Sequence, residues 1–271
     1  MSQSIAGSVA FVTGANRGIG AALTRALLER GAAKVYAAGR QLPSLDALVA
    51  EGAGRVVAVA LDVTDPDAVK AAAALASDTT LLINNAGVAK GEPRTLGDET
   101  SASDLRQELE VNAVAPHIIT HAFSPALIAA GTRSEGRTAG GATVVNIGSA
   151  VAFANFPQAP TYSASKAALH SLTQAWRRTL APHRVDVLEV YPGPVDTDMA
   201  REIPMDKTPA PVVAHAILDG VEHATQDILP DVIAQSLGTE YFRAPKRLEQ
   251  QISAQVWETP ATVLQEEPVA V

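Results

Sequence analysis

The chain has 271 residues and a net charge of −8 at neutral pH, an acidic balance that argues against nucleic acid or an anionic membrane surface as a general partner. It contains no cysteine, which excludes disulfides, thiolate catalysis and zinc sites built on sulfur. No apolar run approaches the ~18–20 residues of a membrane span, and Met1-Ser2-Gln3-Ser4 carries no basic stretch leading into an apolar one, so the expectation is a cytoplasmic globular protein.

Apolar periodicity and turn signals predict a strand near 8–13, a helix over 18–30, a strand over 33–38 and a helix over 43–51. A strand over 55–61, a helix over 65–76, a strand over 80–84 and a helix over 101–130 follow. The series closes with a strand over 142–148, a helix over 160–181, a strand over 185–191, a helix over 210–224 and a last strand around 226–230. Such alternation is that of an α/β fold, a doubly wound parallel sheet of the Rossmann type with helices on both faces. Residues 1–243 read as one domain, and 244–271, with Pro245, Pro260 and Pro268, as a tail that is either a partner-contacting arm or a loose end. Gly131 to Gly141 reads as an exposed polar loop.

Three stretches suggest chemistry on their own. Thr13-Gly14-Ala15-Asn16-Arg17-Gly18-Ile19-Gly20 lies between the first strand and the first helix, where glycines admit a tight turn and the free N–H groups of a helix start attract a pyrophosphate. Ser149 follows the β-branched run Thr143-Val144-Val145-Asn146-Ile147, at the carboxyl end of a strand where ligands of open α/β sheets bind; the other reading is a serine that merely ends a strand. Tyr162 and Lys166 are four residues apart on one helix face, so the lysine cation can favour the phenolate of the tyrosine, although such a pair also arises by chance in helices. His117 and His121 share that spacing, but residue 118 is isoleucine rather than the glutamate of a zinc helix, and no metal is expected.

These stretches come in order with Asp62, with Asn84-Asn85-Ala86-Gly87, with Asn112 and with Tyr191-Pro192-Gly193-Pro194-Val195-Asp196-Thr197. From about Gly7 to Asp231 the chain thereby resembles the single-domain short-chain dehydrogenases/reductases, whose sheet order is 3-2-1-4-5-6-7. The resemblance implies that Tyr162 is the acid in reduction and the base in oxidation, that Lys166 lowers its pKa and binds the nicotinamide ribose, and that Ser149 orients the carbonyl. It implies that Asn112 holds a water beside the lysine, the alternative being a residue that only distorts its helix. Gly14, Asn16, Gly18, Ile19 and Gly20 would hold the cofactor's phosphates. Asp62 and Val63 would meet the adenine, with capping of the next helix left to Thr64 or Asp65. Asn85, Ala86 and Gly87 would lie beside the adenosine ribose, and Pro192, Gly193, Val195 and Thr197 over the nicotinamide.

An enzyme selective for NAD(H) places an acid at the end of the second strand; here Gly39 stands there with Arg40 after it, and Arg17 stands in the glycine turn. Two guanidinium groups at those positions make NADP(H) the expected cofactor. The apolar candidates Val151, Phe153, Phe156, Met199, Ile203 and Met205 suit a hydrophobic ketone or aldehyde. The favoured function is an NADP(H)-dependent carbonyl reductase or alcohol dehydrogenase, and the alternative is a non-catalytic NADP(H)-binding regulator on the same fold. The resemblance further implies a homodimer or homotetramer formed partly by the helices over 101–130 and 160–181.

Overall fold

A computed structural model describes residues 3–90, 101–133 and 141–255. Seven strands form one parallel sheet: β1 (Val9–Thr13), β2 (Lys34–Gly39), β3 (Val56–Ala60), β4 (Leu81–Asn84), β5 (Ala142–Ile147), β6 (Val185–Val190) and β7 (Asp227–Ile228). Their order is β3-β2-β1-β4-β5-β6-β7, as expected. The chain reverses direction across the sheet between β1 and β4, which pair through Ala10 with Leu81, Phe11 with Leu82 and Val12 with Ile83. A crevice at such a switch point is where open α/β sheets bind ligands.

The strands are apolar on both faces because both faces are covered. Side chains alternate across a strand, so Ala10 and Val12 join one core with Ile83, Val145, Leu27 and Ile217, while Phe11 joins the other with Leu82, Val144, Ile119 and Phe123. Helices α1 (Gly18–Glu29), α2 (Asp46–Glu51) and, later in the chain, α7 (Ala210–Glu222) cover the first face. Helices α3 (Pro66–Leu75), α5 (Ala115–Arg133) and α6 (Pro160–Leu180) cover the second. Between α4 (Ser101–Leu109) and α5 the backbone takes a π-turn over Glu110–Val114, so the expected single helix is continuous but locally widened at Asn112.

By length and composition alone, Ser101–Arg133 is long and apolar enough to cross a membrane. Its Ile119, Phe123 and Leu127 are instead buried against the sheet. The middle of the expected loop, 134–140, lies outside the described residues, as does 256–271. Two helices were not anticipated, α8 (Val232–Arg243) and α9 (Pro245–Gln255). Asp231 caps α8 by accepting from Ala234 N. Leu248 and Ile252 of α9 are buried against Phe153 and Tyr191, so the first part of the tail packs behind the loop that carries Ser149.

Candidate active site

At the end of β1, Gly14 and Gly18 take left-handed conformations, with φ of +62° and +53°, which side-chain-bearing residues adopt at a cost. A Cβ on Gly20 would collide with the Gly14 carbonyl oxygen and stand 2.6 Å from Asn85 Nδ2. Glycine is therefore needed at Gly20 for close packing. No side chain caps the N-terminus of α1, whereas Asp65 caps α3 through the N–H groups of Asp67 and Ala68. The first-turn N–H groups of α1 thus carry no capping side chain, a cradle that fits a phosphate.

The turn is tied to the segment after β4. Thr13 Oγ1 accepts from Asn85 N and Ala86 N, both at 3.0 Å. Asn85 Nδ2 donates to the carbonyls of Thr13 at 2.8 Å and Gly14 at 3.0 Å. The Nδ2 group of Asn85 therefore braces the glycine turn. Gly87 lies deeper: a Cβ there would stand 3.2 Å from Asn112 Oδ1 and 3.7 Å from Lys166 Nζ.

Ser149 sits just past β5. Its hydroxyl donates to Pro192 O and accepts from Val151 N, both at 3.4 Å, long contacts that a better partner could replace. Tyr162 lies in the first turn of α6, and Lys166 one turn on, buried, with Nζ 5.6 Å from the Tyr162 ring centre. Desolvation pushes the Tyr162 pKa up to about 12; a hydrogen bond from Ser149 acts against this and the Glu108 carboxylate adds to it. Desolvation likewise lowers Lys166, to about 8, with Glu189 opposing. In place of the expected downward push on the phenol, burial dominates, and Lys166 Nζ donates to Ile147 O at 2.8 Å.

Asn112 is brought to this cluster, but its side chain is occupied. Nδ2 donates to Val88 O at 2.8 Å and to Ser165 Oγ at 2.9 Å, and Oδ1 accepts from Val88 N at 2.9 Å. The amide clamps the segment after Gly87 onto α6, and it sits inside the π-turn, so the helix-distorting reading describes its local geometry.

At the other end of the crevice, Gly39 lies against the turn, an added Cβ meeting Asn16 Cβ at 3.7 Å and Leu45 at 3.6 Å. Arg40 is exposed, and its charge helps hold the Asp62 carboxyl below its ordinary pKa, after the larger effect of hydrogen bonds from Thr64. Asp62 Oδ1 accepts from Thr64 N at 2.9 Å and from Thr64 Oγ1 at 2.7 Å. Asp65, as allowed, is the helix cap, but Asp62 is not left free: one oxygen closes a local turn. Val63 and Ile19 pack partly buried against the two cores.

Arg17 also departs from the expected clamp. Its NH1 pairs with Asp198 Oδ2 at 3.1 Å, and Arg201 holds the other Asp198 oxygen. The segment after Val195 thereby rests on the glycine turn, where a Cβ on Gly18 would stand 3.0 Å from Thr197 Cγ2. Pro192 O accepts from Ala150 N at 3.0 Å, and Gly193 N donates to Asp231 Oδ2 at 2.8 Å, which fixes this segment to α8.

Phe153 lines no opening. It is buried between Tyr191 and Tyr241, with ring centres 4.6 and 4.7 Å away. Met199, Ile203 and Met205 are exposed beyond Thr197. His117 packs on Trp176 at 5.5 Å between ring centres. Sequence reasoning missed two buried acids, Glu108 and Glu189, and His170 beside the latter. The available signal was an acid in a strand with apolar neighbours, Val187-Leu188-Glu189-Val190.

Comparison with known proteins agrees with this geometry. The short chain dehydrogenase family pattern matches residues 8–208. A galactitol 2-dehydrogenase (L-tagatose-forming) of Cereibacter sphaeroides is 35% identical over 199 residues, 71% of this chain and 73% of that protein. An L-xylulose reductase of Bos taurus is 32% identical, covering 82% and 84%. A short chain dehydrogenase from Burkholderia cenocepacia, solved with NADP, superimposes with a TM-score of 0.83 at 38% identity, covering 92% of this chain and 99% of that one. The NADPH-bound carbonyl reductase from chicken fatty liver gives 0.70 at 31% identity, covering 80% and 91%. With the family pattern across most of its length and the sheet order that goes with it, the chain belongs to the short-chain dehydrogenase/reductase family of oxidoreductases.

Proposed function

We propose that this protein is an NADP(H)-dependent oxidoreductase that interconverts a hydrophobic ketone or aldehyde and its alcohol, with Tyr162 as the acid/base. The observation that carries the reading is the convergence of Ser149, Tyr162 and Lys166 beside Gly87, at the carboxyl ends of β4 and β5. A sensor of nucleotide alone would need no proton donor there. Relatives solved with NADP or NADPH support the cofactor, as do the uncapped start of α1 and the absence of an acid at Gly39. Lys166 would face the nicotinamide ribose, and Gly87 with it rather than the adenosine ribose expected from sequence, because a Cβ on Gly87 would stand 3.7 Å from Lys166 Nζ; Ala86 would lie beside the adenosine ribose and Arg40 would face the 2′-phosphate. The bound cofactor supplies the hydride.

The protein supplies orientation and the proton. Ser149 Oγ would exchange its long contact to Pro192 O for the substrate oxygen, and Tyr162 would donate its phenolic proton to that oxygen. A phenol pushed up to about 12 is fully protonated at neutral pH, the form required of the acid in reduction. Oxidation needs the phenolate. The exposed Met199, Ile203 and Met205 would meet an apolar substituent.

The test is NADPH consumption by the purified protein across ketones and aldehydes, apolar carbonyls beside ketoses, with cofactor binding measured by fluorescence. Tyr162→Phe should abolish turnover and leave NADPH binding intact, because it removes only the proton-carrying oxygen. Comparable turnover by that variant refutes the acid role, and preferential use of ketoses refutes the apolar substrate.

A further inference from the structure

Glu189 is the fifth residue of β6 and has no exposed surface. A carboxylate so placed is costly unless it is well partnered, yet only one of its oxygens is. Oε2 accepts from the Tyr191 hydroxyl at 2.9 Å and lies 3.0 Å from His170 Nδ1. Oε1 is buried with no hydrogen-bond partner, and it stands 2.8 Å from where a Cβ on Gly148 would be.

Lys166 Nζ donates to the carbonyl of Ile147, the residue before Gly148. The unpartnered carboxylate oxygen and the ammonium therefore flank one peptide unit, immediately before Ser149. Lys166, His170 and Gln174 stand four residues apart on α6, and Gln174 Nε2 meets His170 Nε2 at 2.9 Å where the row reaches the surface. The Tyr191 hydroxyl also lies 3.0 Å from Asp227 Oδ1, to which Arg177 donates at 2.7 Å.

We infer that Glu189 is a positioning residue: its carboxylate, braced by His170 and Tyr191, keeps the Lys166 ammonium charged behind the Ser149 and Tyr162 hydroxyls. The inference rests on the proposed role of Lys166. The groups bearing on the lysine and phenol are Glu189 from β6 and Glu108 from α4. Those around Glu189 are Lys166, His170 and Arg177 from α6, Tyr191 from the following residues and Asp227 from β7. Burial draws Lys166 down, and the Glu189 charge works in the opposite direction. Without that charge the ammonium would lose its proton at lower pH, and the cation that favours the phenolate would go with it.

Glu189→Gln removes the charge and keeps the shape. A lysine-selective NMR titration of the full chain, with the Lys166 signal assigned through Lys166→Arg, reads the ammonium directly. Its midpoint should fall by about one pH unit in Glu189→Gln, and the alkaline limb of NADPH affinity, which follows the ammonium that faces the ribose, should move to lower pH with it. Glu189→Met, which removes the charge together with its hydrogen-bonding demand, should shift the midpoint likewise and serves if the glutamine variant folds poorly. A midpoint within about 0.2 pH unit of wild type in either folded variant overturns the inference; so does a lowered melting temperature with neither midpoint nor limb moved. The titration needs no substrate, so failure of the proposed reaction would appear separately, as a wild type without turnover whose Lys166 midpoint still responds to Glu189.

Discussion

Cofactor choice should be reversible at two adjacent residues. In Gly39→Asp/Arg40→Gln, the first change adds a carboxylate at the end of β2 and the second removes the cation beside it. A Cβ at Gly39 would meet Leu45 and Asn16 at 3.6 and 3.7 Å, ordinary van der Waals contact, so the first atom of the new side chain meets no clash. A charge-assisted contact to a phosphate contributes about 1.5–3 kcal/mol, on the order of ten- to a hundredfold in affinity. Arg40 is exposed and shares its field with Asp62, which places its own share toward the lower end. The new carboxylate contributes separately, by accepting from a ribose 2′-hydroxyl and repelling a 2′-phosphate. The ratio of kcat/KM for NADPH to that for NADH, at fixed ionic strength, should therefore fall on the order of a hundredfold. A wild type that prefers NADH, or a double variant with an unchanged ratio, would show that these positions do not read the ribose.

Gly20→Ala should be damaging, because its Cβ meets backbone rather than a flexible side chain; overpacking of about 1–3 kcal/mol should lower the melting temperature by several degrees and weaken cofactor binding. Gly39→Ala, with only ordinary contacts, is the control, and equal melting temperatures for the two would refute the packing argument. Light scattering should show a homodimer or homotetramer formed through the α4–α5 and α6 surfaces, where Val114 is exposed; a particle of only 28.1 kDa across working concentrations would refute it.

The sheet was legible because strands covered on both faces are buried along nearly their whole length and read as short, continuous β-branched apolar runs. Val9 to Thr13 and Thr143 to Ile147 can be little else, bounded as they are by glycine turns and polar loops. The last 40 or so residues were less so. Among its described side chains, helix α9 buries only Leu248 and Ile252 against the aromatic cluster, among Lys246, Arg247, Glu249, Gln250 and Gln251. Two apolar anchors in a charged segment give too little periodic signal to separate a docked helix from a loose tail.

At the site, position along the chain was legible and allegiance was not. Motif order brought Gly87, Asn112 and Lys166 to one place, because each follows a strand or sits on a helix whose register the core sets. Which partner a polar side chain takes depends on groups far away in sequence. Arg17 meets Asp198, 181 residues on, and Asn112 meets Ser165, 53 residues on. The same holds for acidity. From sequence, a lysine one turn after a tyrosine implies an easier ionisation, through the attraction of unlike charges. In the folded chain both groups are withdrawn from water, and the loss of solvation exceeds that attraction, moving the phenol up and the ammonium down. The charge that works against the fall of the ammonium is an acid in β6, twenty-three residues further on, and only the fold brings it to the same peptide unit.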